Sequence, residues 1–210
     1  MSKYALISEE TRKKYINALY NCQDGNYFAM KNFQSEYPNE YSFMNAQFRQ
    51  RSKIIDCIDA IYQSGNVAYF GALTFDDKHD KSSEENKRKQ AIRLLNLVFV
   101  AWVMVEEYGE ENGRYHIHFI GCFRYNKTMS DFHNEWHSHS QIERVKNARK
   151  TARYLTNYME KQVPRIRKSK SMVEMVNISK RMKKNVNYGF KSCNKPLQID
   201  IKSIALDLPF

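Results

Sequence analysis

The chain has 210 residues, a formal net charge of +11, and shares of 42% hydrophobic and 13% aromatic residues, a composition that excludes a disordered polyelectrolyte and suits one domain with terminal extensions. A pI near 9.4 points to an anionic partner. The longest apolar run, Leu94 to Val105, is interrupted by Asn96 and is too short for a membrane span, and Met1 to Glu10 lacks an apolar signal core. No membrane attachment is expected, and four scattered cysteines without Cys-x-x-Cys spacing argue for reduced thiols in a cytoplasmic protein rather than a zinc or redox motif.

Glu9 to Tyr20 and Glu40 to Tyr62 carry helical apolar periodicity, the second through Phe43, Met44, Phe48, Ile54, Ile55, Ile58 and Ile61. Ser64-Gly65-Asn66 ends that helix, and Val67 to Phe75 reads as a strand bounded by Asp76-Asp77. Ser82 or Ser83 caps a helix running to about Asn96, with Glu84 and Glu85 complementing its N-terminus. Val98 to Tyr108, a turn at Gly109 to Gly113, and Arg114 to Phe123 form a β-hairpin: two β-branched and aromatic runs flank a polar, Gly-bearing turn. Ser130 to His137 follows as a short helix, Gln141 to Val145 as a strand, and Ala148 to Gln162 as a helix stopped by Pro164. Met172 to Lys183 reads as a last helix. The order predicts an α+β fold, a central antiparallel sheet with helices packed on its faces. It divides into an N-terminal helical extension (1–66), a core (67–165) and a basic C-terminal extension packing on that core (166–210).

Two sets of residues carry chemistry. His116 and His118 stand two apart in the return strand, so both imidazoles project from one face and can share a metal ion. Ile117, Phe119 and Ile120 mark that strand as buried, where an imidazole needs a hydrogen-bond partner or a metal. The partner strand offers a third, anionic ligand: a four-residue loop sets Glu107 opposite His116, and a three-residue loop sets Glu106 there. Two nitrogens and one carboxylate suit Mn²⁺ or Mg²⁺ acting as a Lewis acid. Tyr154 and Tyr158, four apart, share a helix face with Lys161 one turn beyond. A tyrosine can attack a phosphodiester, and a lysine beside it can bind the phosphate or favour the phenolate. From Lys146 to Lys184 there are thirteen Lys and Arg against two Glu, so this segment balances to the charge of the whole chain and contains the tyrosine pair. Lys150, Arg153, Arg165, Arg167, Lys168 and Lys170 are its candidate nucleic-acid contacts. His133, His137 and His139 around Trp136 match no zinc spacing and read as a polar helix end. Packing is likewise the reading for Tyr115 and Phe123.

At these residues the chain resembles the HUH replication initiators, the Rep endonucleases of rolling-circle plasmids and single-stranded-DNA phages. Phe70-Gly71-Ala72-Leu73-Thr74-Phe75 looks like the first motif, a strand ending in Leu-Thr. His116-Ile117-His118-Phe119 looks like the metal-binding motif, and Tyr154-x-x-x-Tyr158-x-x-Lys161 like the two-tyrosine motif of microvirus-type members. Val105-Glu106-Glu107-Tyr108-Gly109 resembles the Glu-Tyr-Gly that precedes the histidines there, which favours Glu107 as third ligand. Asn157 departs from the pattern, since many members carry lysine three residues after the first tyrosine; Tyr158, which retains Lys161, is therefore the better primary nucleophile. The resemblance covers about residues 67 to 165. It implies an RRM-like core with the metal site on one sheet face and the tyrosine helix across it. It also implies nicking of single-stranded or stem-loop origin DNA through a 5′-phosphotyrosine. The absence of a Gly-x-x-x-x-Gly-Lys-Ser/Thr sequence implies dependence on a host helicase, alongside a host polymerase. A single-strand transposase of the same superfamily and a non-catalytic basic DNA- or RNA-binding module are the alternatives.

Overall fold

The computed structural model describes residues 7–23, 26, 28–75, 82–108, 114–157 and 166–189. Among them stand α1 (Glu9–Gln23), α2 (Phe28–Glu36), α3 (Pro38–Gln63), β1 (Tyr69–Leu73), α4 (Glu84–Val98), β2 (Phe99–Tyr108), β3 (Tyr115–Phe123), α5 (Met129–Glu135), β4 (Ser140–Arg144), α6 (Ala148–Asn157), β5 (Ile166–Lys168) and α7 (Lys170–Gly189). The strands make one sheet in the order β4-β1-β3-β2-β5, antiparallel at every pairing. The α+β architecture with a central antiparallel sheet is thus the one the sequence predicts. The expected turn at 109–113, the helix from 158 to its stop at Pro164, and Asp76-Asp77 lie outside the described residues.

Both faces of the sheet are covered, which explains why β2 and β3 read as near-continuous apolar runs rather than alternating ones. On one face Val103, Val105, Ile120 and Cys122 pack against Ile54, Ile58 and Ile61 of α3, Leu155 of α6, and Met172 and Val176 of α7. On the other, Leu73, Met104, Ile117 and Phe119 meet Ala91, Leu94 and Leu95 of α4 and Phe132 of α5. Gly71 is needed in β1 because Phe119, its cross-strand partner, lays its ring where a Cβ would stand.

Local signals set the element ends. After α3, Gly65 takes φ +76°, and the amides of Gly65 and Asn66 donate to the carbonyls of Tyr62 and Ile61 at 3.0 and 3.2 Å, closing the helix in a Schellman motif that glycine favours. Of the two serines before α4, Ser83 is the cap: its hydroxyl accepts from the Asn86 amide at 3.3 Å. Thr128 and Asp131 form a reciprocal capping box at the start of α5.

Two elements lie beyond what the sequence predicts. In α2, Phe33 is the buried residue, and with Tyr15, Ala18, Phe43 and Met44 it forms a separate small core. The 26-residue α3, about 39 Å long at 1.5 Å per residue, joins that core to the sheet. The sheet's fifth strand comes from Ile166–Lys168, just past the expected end of the core. Three residues, two of them cationic, carry too little periodicity to read as a strand; pairing with β2 makes them one.

Candidate active site

Strand pairing decides which acidic residue meets the histidines. Glu107 lies directly across from His116, and Val105 across from His118, the register expected of a four-residue loop. Because side chains alternate, Glu107, His116 and His118 share the face covered by α3, α6 and α7, while Glu106 points to the other.

On that face, His118 Nε2 stands 3.0 Å from Glu107 Oε2. The imidazole is 8% exposed, and its Nδ1 is buried without a hydrogen-bond partner. An orphaned buried ring nitrogen is costly, so this imidazole is held for something other than its own satisfaction. Phe70 of β1 stacks on the ring at 5.9 Å with a 10° interplanar angle. Tyr154 of α6 meets it edge-on at 5.6 Å and meets Phe70 at 5.4 Å. Tyr154 is 42% exposed, so a polymer can approach from solvent. Helix α6 therefore does lie across the histidine face, and the first tyrosine of the pair reaches the second histidine.

The donors present suit a hard divalent ion. Two cis ligands of an octahedral ion, each bonded at about 2.1 Å, stand about 3.0 Å apart, a separation that also serves an N–H···O hydrogen bond. Among the described residues, no three His, Cys, Asp or Glu side chains are gathered as a metal-holding group. The assembled part is the His118–Glu107 pair, with His116 half-buried on the same face.

Glu106, the alternative ligand, is committed elsewhere. Its carboxylate accepts from Arg167 Nε at 2.7 Å, from the Tyr115 hydroxyl at 2.8 Å and from Arg88 Nη1 at 3.4 Å. Burial alone would raise its pKa, but the bonds from Arg167 and Tyr115 and the charges of Arg167 and Arg88 outweigh burial and hold it below the usual value. Burial and the Glu106 bond push the Tyr115 phenol far up. Glu106 thus ties α4, β3 and β5 to β2 on the face away from the histidines.

The basic residues divide accordingly. Lys150 and Arg153 lie on α6, the helix of Tyr154. Arg167 is turned to the opposite face by its bond to Glu106 and is not brought to the site. Lys168 reaches towards the buried Cys57 thiol, and Lys170 is exposed at the start of α7. Tyr158, Lys161 and Arg165 lie outside the described residues. His133 Nδ1 bonds Ser140 Oγ at 2.9 Å, and Trp136 Nε1 donates to the Thr74 carbonyl at 3.2 Å, the polar helix end that their spacing suggests. Tyr115 is buried at 4% exposure, in keeping with packing.

Two residues of this neighbourhood escape a reading of the sequence. Phe70 stands out there only as part of a motif, and its stacking on His118 depends on β1 pairing with β3. Buried Arg51 of α3 donates from Nε to Thr156 Oγ1 at 3.0 Å, fastening α6 to α3. An arginine amid apolar helix positions gives no sign of a partner 105 residues away.

Residues 68–163, just under half of the chain, match the family of replication-associated proteins of the ORF2 type. The match contains the histidine strand, Glu107 and both tyrosines, and it supports a role in replication initiation, with DNA as the partner. No curated protein and no solved structure matches the chain. Among the described residues, no helix is long and apolar enough to cross a membrane.

Proposed function

We propose that the chain nicks and rejoins single-stranded or stem-loop origin DNA to initiate rolling-circle replication, through a covalent 5′-phosphotyrosine intermediate. The observation that carries this reading is the contact of Tyr154 with His118 beside Glu107: a nucleophile type, a metal-ligand type and a carboxylate meet on one sheet face. His116, His118 and Glu107 would hold Mn²⁺ or Mg²⁺, which when bound supplies Lewis-acid polarisation of the scissile phosphate.

In the proposed step a tyrosine hydroxyl loses its proton and its oxygen bonds to phosphorus. The bond from phosphorus to the 3′ oxygen breaks, and that oxygen leaves as a hydroxyl after taking a proton. Rejoining is the reverse, with a free 3′-hydroxyl attacking the phosphotyrosine. A phenol with a reference pKa of about 10 needs cationic help at neutral pH, a duty assigned to Lys161, while Lys150 and Arg153 grip neighbouring phosphates. Tyr158 is assigned the first attack and Tyr154, one turn away, the second. The chain would depend on a host helicase and polymerase.

The test is incubation with single-stranded origin DNA and Mn²⁺, followed by denaturing electrophoresis for a protein–DNA adduct. Tyr158→Phe should reduce the first cleavage at least a hundredfold, Tyr154→Phe should leave it but block transfer to a second strand, and His118→Ala should lose cleavage with either tyrosine. DNA binding with no adduct under any divalent metal would favour the non-catalytic binding module.

A further inference from the structure

Beyond the candidate active site, the opposite end of β3 opens into a surface depression of about 320 Å³. Its walls include Tyr69, Phe123, Arg124, Tyr125 and Lys127, and no carboxylate is among its lining residues. Tyr69 and Phe123 meet edge to face at 4.7 Å, so the floor is a fixed aromatic pair. Tyr125 is fully exposed, yet it stands on a turn held by hydrogen bonds on both sides. The Arg124 amide donates to the Val98 carbonyl and the Lys127 amide to the Arg124 carbonyl, each at 3.0 Å. The Arg124 guanidinium is fixed by two bonds to the Asn96 carbonyl at 2.9 and 3.2 Å. Lys127 is more loosely held, with Nζ 4.0 Å from Glu135.

An aromatic ring left wholly in solvent, mounted rigidly between two cations and above an aromatic-floored depression, has the chemistry of a base-stacking platform. Ring stacking supplies affinity without sequence preference, rigidity lowers the entropy of capture, and the cations attract the backbone. We propose that this depression binds an unpaired nucleobase of single-stranded DNA, stacked on Tyr125 with an adjacent phosphate at Lys127. From His118 to Phe123 the strand rises about 17 Å at ~3.3 Å per residue, so one DNA strand would occupy both sites only when several nucleotides long. The choice of DNA rests on the function proposed above; the stacking itself does not require cleavage.

Fluorescence anisotropy with labelled oligothymidylate of about 16 nucleotides, the upper end of single-strand site sizes, tests it against a duplex of equal length. Tyr125→Ala should weaken single-strand binding about fivefold or more and leave duplex binding unchanged. Tyr125→Trp should restore it. Lys127→Ala should lower the salt dependence by about one phosphate contact. Circular dichroism should report an unaltered fold. Wild-type affinity in Tyr125→Ala, or equal losses on single strand and duplex, would overturn the proposal. Failure of wild-type protein to form an adduct, with the Tyr125→Ala loss present, would sink the nicking reading alone.

Discussion

Adjacent glutamates on β2 should fail in opposite ways. Glu106→Gln removes a charge that Arg167 and Tyr115 approach at 2.7 and 2.8 Å and Arg88 at 3.4 Å, in a side chain 12% exposed. Charge-assisted hydrogen bonds exceed neutral ones by about 1 kcal/mol each, and the Arg167 contribution is discounted because that side chain is 38% exposed. The net loss is about 2 kcal/mol, which for a chain of this size lowers Tm by about 4–8 °C. Glu107→Gln keeps an oxygen for His118 and should cost less than about 1 kcal/mol, but it removes the anionic donor proposed for the metal on the histidine face. Thermal melts with and without Mn²⁺ read both effects, since an ion that binds only the native state raises Tm. Glu106→Gln should melt lower and keep the Mn²⁺ increment and the DNA adduct; Glu107→Gln should melt near wild type and lose both. The reverse pattern would mean that Glu106, not Glu107, faces the histidines, and the strand register would be refuted.

Acid unfolding should depend on the same residue. The Glu106 carboxylate is held below its ordinary value of 4.5, so its stabilisation is fully present above that pH and is lost as pH falls through the lower folded value. Urea titrations below pH 4.5 should show a shallower decline in Glu106→Gln than in wild type. A Gly71→Ala side chain would enter the Phe119 ring and come within 2.5 Å of the Gln141 backbone oxygen, a position the backbone cannot easily yield. A loss of about 2–3 kcal/mol is expected, checked by denaturant midpoint, and a change under about 0.5 kcal/mol would contradict the packing. Cys57 and Cys122 are buried at 0% and 1% exposure with thiols pushed up by burial. Iodoacetamide should modify both only after unfolding, as followed by peptide mass spectrometry.

Much of the architecture was legible in the sequence because it rests on local rules. The β2–β3 hairpin, the Ser83 cap and the Gly65 helix end follow from β-branched runs, a hydroxyl at a helix start and a glycine free to take positive φ. The pairing of His116 and His118 on one face follows from the two-residue period of a strand. The basic balance of 146–184 is compositional and needed no fold.

Tertiary structure alone decided which residues meet. Whether Glu106 or Glu107 faces the imidazoles turns on a one-residue register, and that register is fixed by burying apolar neighbours on both sheet faces at once. The meeting of Phe70, His118 and Tyr154 joins β1, β3 and α6, and Arg167, which looked like one more cation in a basic segment, is claimed by Glu106 on the far face. Sequence periodicity specifies the direction of a side chain relative to its own element; partners distant in the chain are selected by how whole elements pack.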